Sequence, residues 1–407
     1  MSRDKTFNVS DDVKNFIGEI IKNNNWEPVL NVKYFPGSRV GDGYASEHIG
    51  VEIIRPNLNI CLFVKHSFDS EVAKKWAIDK FYTNEVYFYE IVYPAYLKFL
   101  DEKDVRNGFK NAPKCYGISP ENIIVLENLQ AQGYALFDRR EIMDEKHIVS
   151  VLKTFAKFHA ISFAFKDQHR EKYDKLLEDW DGDHLTHLPK DSAGIRWYFD
   201  TIQEALDKLD PEKDRCILER CNANVLVDCI VDVVKNCNEY SIIAQGDCWC
   251  NNILFKYEDD DTSNPIDVMI VDWQMLRPAS PAVDVSHFLY TIASQESLNR
   301  LDSHLETYYA ELSEQIKTLG SDPESLYPKE VFEKEWKQFC MYGFAMAFAL
   351  IKYMLIKEDE IPNLETFEFE DTKSTKKLTL FPKFDNEEEY LRRLRILARF
   401  MVDRGYI

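Results

Sequence analysis

This 407-residue chain has no excess of positive charge, no cysteine framework, no internal repeat and no apolar run of membrane length. Lysine and arginine number 50 against 70 aspartate and glutamate, a formal charge of −20. Nucleic-acid binding needs a cationic footprint, and anionic membranes attract basic clusters, so both are excluded as general roles. A polyanionic small molecule can still bind where local cations or Mg²⁺ compensate. The segment Met1–Trp26 holds no uninterrupted apolar core, and no secretory signal is expected. The longest uncharged stretch near the C-terminus, Gln338–Ile351, ends at Lys352. It is shorter than the roughly 20 apolar residues of a membrane span and reads as a buried helix. Nine cysteines is an odd number without framework spacing, which predicts reduced thiols and a cytoplasmic protein. Cys248, Cys250 and Cys237 lack the paired spacing of a zinc site. No GxxxxGK[ST] phosphate loop is present.

What is present is a core-forming composition, 45% hydrophobic and 13% aromatic, in a chain long enough for two lobes. The first part reads as a sheet with one helix. Val51–Ile54 and Leu58–Val64 are β-rich runs around the turn Arg55–Pro56–Asn57, and Ile123–Leu126 is a buried-strand run. Phe81–Leu100 reads as a helix interrupted at Pro94. From His147 the pattern becomes helical, with Ile148, Val151, Leu152, Phe155, Phe158 and His159 at helical spacing. Ile195–Leu209, Ala282–Ala293, His304–Leu319, Val331–Leu355 and Glu387–Asp403 are further helices. Within them lies a β island of Ile242–Ile243, Asn252–Tyr257 and Val268–Val271. Asp259–Asp261 reads as an acidic turn and Glu358–Lys377 as a charged loop. The class is α+β, with a sheet-rich lobe over 1–128, a helical lobe over 129–407 and a hinge near Glu127–Leu129.

The stretch "AQGDCWCNNILFKY" (244–257) carries the chemistry. Asp247 and Asn252 stand five apart on a loop between short strands, and Asp272 follows the apolar run Val268–Val271. One aspartate beside a hydroxyl can act as a base, while an asparagine and a second aspartate offer hard oxygens to Mg²⁺. Phosphoryl transfer needs this set, because positioning and charge neutralisation do most of its work. Taken alone, the stretch is explained as well by aspartates capping strand turns. In the first lobe, Gly41–Asp42–Gly43–Tyr44–Ala45–Ser46 is a turn whose N–H groups could cover phosphates, or a plain hairpin. Lys65 ends the run Cys61–Val64 and could reach phosphates or simply face solvent. Glu85 could orient Lys65 or be an ordinary helix glutamate.

In order along the chain, "GDGYAS" (41–46), "CLFVK" (61–65), "NEVYFYEIVYP" (84–94), "PKCYG" (113–117), "IIVLENLQAQGY" (123–134), "LKTFAKFHAIS" (152–162), "QGDCWCNNILFKY" (245–257), "IDVMIVDWQ" (266–274) and "SPAVDVSHFLY" (280–290) resemble the arthropod ecdysteroid-kinase-like (CHK kinase-like) family. That family is related to choline and ethanolamine kinases and aminoglycoside phosphotransferases. The resemblance implies a two-lobed protein-kinase-like fold and an ATP- and Mg²⁺-dependent kinase. It implies a small hydroxylated acceptor, an ecdysteroid or another steroid-like or xenobiotic alcohol, and no protein partner. Asp247 matches the catalytic aspartate, and Asn252 and Asp272 the Mg²⁺ ligands. Lys65 matches the phosphate-contacting lysine and Glu85 its partner. Gly41, Gly43 and Ser46 match the phosphate-covering turn, and Glu127, Asn128 and Leu129 the adenine-holding hinge. Asp284 matches the aspartate that braces the catalytic loop.

The pattern departs from the family in three places. Gln245 stands where a loop-supporting histidine is usual, which bears on the loop's rigidity rather than on the reaction. Cys248 replaces an apolar residue and reads as a small hydrophobe. Gln274, where protein kinases carry glycine, is expected by the resemblance and argues against a protein substrate. His159 and His287 read as core histidines. Two other functions remain open at this point: a choline- or ethanolamine-type kinase, and a kinase-like binding protein without turnover. Retention of Lys65, Glu85, Asp247, Asn252 and Asp272 together argues against the second.

Overall fold

The computed structural model describes residues 7–38, 46–67, 79–188, 192–258, 261–357, 360 and 384–407. Helix α1 (Asp11–Asn23) starts where the Ser10 side chain accepts from the Val13 N–H, and it buries Val13, Ile17, Ile20 and Ile21 on one face. Strands β1 (Asn31–Pro36), β2 (Ser46–Ile54), β3 (Ile60–Ser67), β4 (Cys115–Ser119) and β5 (Ile123–Glu127) form an antiparallel sheet in the order β1-β2-β3-β5-β4. The period of two divides its faces. Ile49, Val51, Ile53, Leu62, Val64, Ile123 and Val125 form one core with α1. Ile124 and Leu126 turn the other way, into the large core of the rest of the molecule. Lys65 lies opposite His48 and Ile124, which places it on that second face.

Helix α2 (Asp79–Tyr87) passes through a single π-helical turn, Phe88–Val92, into α3 (Tyr93–Glu102). The expected break at Pro94 therefore takes a different form. The wide turn ahead of the proline absorbs the missing donor, and the helical path continues. Neither α1 nor β1 was expected. The four core-facing residues of α1 are dispersed among charged ones and make no apolar run.

The helical part begins with α4 (Glu145–Gln168), capped by Asp144, and α5 (Arg170–Glu178). It continues through α6 (Ala193–Asp207) and α7 (Ala223–Val231). The β island is two small sheets. One pairs β6 (Tyr134–Leu136), β8 (Ile253–Tyr257) and β9 (Pro265–Ile270), and the other pairs β7 (Ile242–Ala244) with β10 (Arg277–Ala279). Then come α8 (Pro281–Thr291), α9 (Leu301–Thr318), α10 (Lys329–Leu355) and α11 (Glu387–Asp403). By length and composition α4 and α10 could cross a membrane, but 78% and 83% of their apolar stretches are buried inside the protein. They are core helices. The acidic turn at 259–261 and the loop at 358–377 fall almost wholly outside the described residues.

Every residue of α8 is buried, and α10 crosses it at Gly343. A β-carbon on Gly343 would stand 2.2 Å from the Ser286 carbonyl carbon, a backbone atom that cannot swing aside. Alanine for glycine inside a helix normally gains up to about 1 kcal/mol. Here overpacking should reverse the sign, so Gly343→Ala is expected to lose at least about 1 kcal/mol in urea unfolding. Equal or greater stability would show that the crossing is looser than described.

Candidate active site

The loop Gln245–Asn252 joins β7 to β8, and Asp272 follows β9. Gly246 has φ +84°, and a β-carbon there would meet the Met275 carbonyl oxygen at 2.0 Å, so the turn admits only glycine. Asp284, in the first turn of α8, has no exposed surface. Its Oδ2 accepts from the Gln245 N–H at 2.7 Å and lies 3.1 Å from His159 Nε2, and its Oδ1 accepts from the Gly246 N–H at 3.0 Å. Burial alone would raise its carboxyl. The hydrogen bond and charge of His159 and the two N–H groups more than offset this and hold it below its ordinary value.

Gln245, fully buried, resolves the question its substitution raises. Its Nε2 donates to the carbonyls of Asp272 (2.8 Å) and Val271 (3.3 Å), and its Oε1 accepts from the Asp247 N–H at 2.8 Å. One amide thus ties the Gln245–Asn252 loop to the strand end that carries Asp272. Asp272 has a left-handed backbone, φ 62° and ψ 69°, unusual for a residue other than glycine. The glutamine holds the carbonyl of that residue.

Asn252 turns its Nδ2 to the Asp247 carbonyl oxygen (2.9 Å) and carboxylate Oδ2 (2.8 Å). Its amide nitrogen is occupied, which leaves the carbonyl oxygen as the atom available to a cation. Burial first, then the nearby Asp272 carboxylate, push the Asp247 carboxyl up to about 7. Lys65 Nζ stands 2.7 Å from Glu85 Oε2 and 2.6 Å from Asp272 Oδ1. Burial would lower the ammonium, but the Asp272 and Glu85 charges outweigh it, and its pKa is raised. Asp247, Asn252, Asp272, Lys65 and Glu85 therefore share one cleft between sheet and helices. Among the described residues no group of three or more His, Cys, Asp or Glu could hold a metal ion. Two side-chain oxygens, from Asn252 and Asp272, suit Mg²⁺, which completes its shell with phosphate and water.

Ser46 opens β2, opposite Ser67, while Gly41 and Gly43 lie outside the described residues. Glu127 ends β5, and its Oε1 accepts from the Lys114 N–H at 2.8 Å. Asn128 donates its N–H to the Cys61 carbonyl, and the Leu129 carbonyl accepts from Gln132 and Tyr134. His159 is a satisfied core histidine, with its second nitrogen 2.7 Å from Tyr308 Oη. His287 accepts from the Cys248 N–H, but its Nε2 has no partner among the described residues.

The sequence reading missed three residues of this neighbourhood. His48 lies across from Lys65, and burial, then the Lys65 charge, push its imidazole down to about 4. The β2–β3 register was the signal that could have found it. Arg277 and Asp183 form a fully buried pair at 2.7 Å, and the Arg277 guanidinium lies over Tyr342, whose hydroxyl donates to the Gly246 carbonyl. Nothing in the sequence separation of 183 and 277 announces the pair.

A two-lobed α+β fold with a lysine–glutamate pair facing an acid–asparagine–acid loop defines a small-molecule kinase, a phosphotransferase acting on an alcohol group. The ecdysteroid kinase-like family matches residues 40–321, more than half of the chain, and the protein belongs to that family. No curated protein matches it. Solved structures similar to it include Plasmodium vivax ethanolamine kinase, at 13% identity over 98% of this chain and 92% of that one, TM-score 0.44. A glucosamine kinase is similar at 11% identity over 95% and 83%, TM-score 0.39. A spectinomycin phosphotransferase, solved with ADP and spectinomycin, is similar at 12% identity over 81% and 91%, TM-score 0.34.

Three variants test the loop's supports. Gln245→Leu should fold and lose about 10- to 100-fold in kcat, because it frees the Asp272 carbonyl and the Asp247 N–H together, as read by phosphate-transfer assay. Unchanged kcat would show that Asp272 needs no such tie. Asp284→Ala should cost about 3–5 kcal/mol in chemical denaturation, because it strands buried donors and His159. The folded Asp284 carboxyl lies below its unfolded value of about 3.9, so its contribution is present above that pH and fades as pH falls through the folded value. The stability difference between wild type and Asp284→Asn should shrink in that acid window; a constant difference would refute the assignment.

Proposed function

We propose that the protein transfers the γ-phosphoryl group of ATP, with Mg²⁺, to a hydroxyl of an ecdysteroid or another steroid-like or xenobiotic alcohol. The observation that carries this reading is the convergence of Lys65, Glu85, Asp247, Asn252 and Asp272 in one cleft. Asp247 orients the acceptor hydroxyl and can take its proton. Lys65, held by Glu85, meets the phosphates. The Asn252 carbonyl and the Asp272 carboxylate would hold Mg²⁺, which supplies charge neutralisation on the phosphates when bound. The β2 end near Ser46 covers the phosphates, and the Glu127–Leu129 segment holds the base. The preference for a steroid-like acceptor rests on family membership. All nine cysteines are free thiols, which supports a cytoplasmic setting.

The test is phosphate transfer from Mg–ATP to a panel of ecdysteroids, hydroxylated xenobiotics, choline and ethanolamine. A steroid or xenobiotic alcohol should be phosphorylated, and Asp247→Asn should reduce its rate by at least about 100-fold. A choline or ethanolamine product instead would overturn the acceptor class. A folded chain that does not bind Mg–ATP would overturn the kinase reading itself.

A further inference from the structure

The Lys65–Glu85 pair is formed, and α2, which carries Glu85, is fastened on two sides. Asn84, the neighbour of Glu85, is buried and points toward the other lobe. Its Nδ2 donates to the carbonyls of Gln274 (2.9 Å) and Leu276 (2.8 Å). Its Oδ1 accepts from Trp180 Nε1 at 2.9 Å. Flipping the amide would set an oxygen against two carbonyls and an N–H against an N–H, so only one orientation fits. The segment it grips is the one that follows Asp272. Beside it the Trp273 and Phe88 rings stack with centroids 3.8 Å apart.

The outer side of α2 is gripped by the end of α5 and the stretch that follows it. Tyr87 Oη donates to the Leu176 carbonyl, Lys80 pairs with Asp181 at 2.6 Å, and Phe81 stacks on His184 at 4.3 Å. These contacts join the helix to chain elements about 90 to 190 residues away. A helix bound in this way has little freedom to swing its glutamate out of the cleft.

We infer that Asn84 is a positioning residue: with Trp180 it latches α2 to the Asp272 segment, so that the Lys65–Glu85 pair stands assembled before nucleotide arrives. A kinase built this way needs no separate activating event to bring its glutamate in. The role of Glu85 in this inference rests on the phosphotransfer reading, but the latch can be read without turnover.

The experiment is amide hydrogen exchange over residues 79–87 in the full chain, with and without Mg–ATP, combined with phosphate-transfer kinetics. In the nucleotide-free wild type this segment should exchange slowly, and Mg–ATP should change it little. Asn84→Asp, which sets a carboxylate against two carbonyls, should speed exchange at least tenfold and lower kcat at least tenfold. Trp180→Phe, which removes one donor, should move both in the same direction by less, and it serves if Asn84→Asp does not fold. Tyr390→Phe, which removes a buried hydrogen bond to the Phe348 carbonyl far from the cleft, should lower thermal stability and leave both readouts unchanged. Rapid exchange in free wild type that slows only with Mg–ATP would overturn the latch. So would unchanged exchange, or unchanged kcat beside faster exchange, in both Asn84→Asp and Trp180→Phe. Slow, nucleotide-independent exchange in a wild type that transfers no phosphate would support the latch and overturn the phosphotransfer reading.

Discussion

A carboxylate shut away from water must be surrounded by donors, and the active loop is shaped by how Asp284 meets that demand. An unpaired ion at such depth would cost several kcal/mol. Asp284 gathers two successive backbone N–H groups of the loop and His159 of α4. Those N–H groups can converge on one carboxylate only if the chain turns sharply between them, and the left-handed Gly246 supplies the turn. Asp247 is the next residue, so its placement is a by-product of satisfying a buried charge. His159 in turn leans on Tyr308 of α9, which extends the support to the far side of the core.

Asp272 is placed by a different device. Its backbone occupies a region that costs of order 1–3 kcal/mol outside glycine, and such a conformation persists only when its surroundings over-determine it. Gln245 grips its carbonyl, and Trp273 beside it is stacked on Phe88 and buried. The two acids are thus held by separate elements, α8 for one and the α2 junction for the other, and a single glutamine side chain connects them.

Much of this was legible in the sequence, and the boundary is physical. Long periodic segments such as those behind α4, α10 and α11 announced themselves, because burying a helix face imposes a repeat that composition cannot hide. The strands β2, β3 and β5 were readable in part as short β-rich or fully apolar runs. α1 escaped because its buried face is interrupted by charges, and β1 because it packs mostly against solvent. In the site, the order of Lys65, Glu85, Asp247, Asn252 and Asp272 along the chain was visible, and the cleft assembles them. What the sequence could not show was contact between distant positions. Asp183 with Arg277, and Asn84 with Trp180 and Gln274, are relations between residues roughly 90 to 190 apart that carry no local pattern. The work of Gln245 was hidden for another reason: a residue type reveals its hydrogen-bonding capacity, while the partners are set by the fold.

The 2.6 Å pair between Lys65 and Asp272 gives the cleft the character of a loaded ion exchanger. Its cation already has a counter-ion, and its anion already has a cation. An incoming phosphate can engage Lys65 fully only by drawing it from Asp272, which leaves that carboxylate exposed to whatever positive charge accompanies the phosphate. A bare polyanion would make one exchange and strand the other group, whereas a polyanion carrying its own divalent ion completes both at once. On the proposed phosphotransfer function, this pairing would favour charge-compensated ligands before any contact with a base or an acceptor is made.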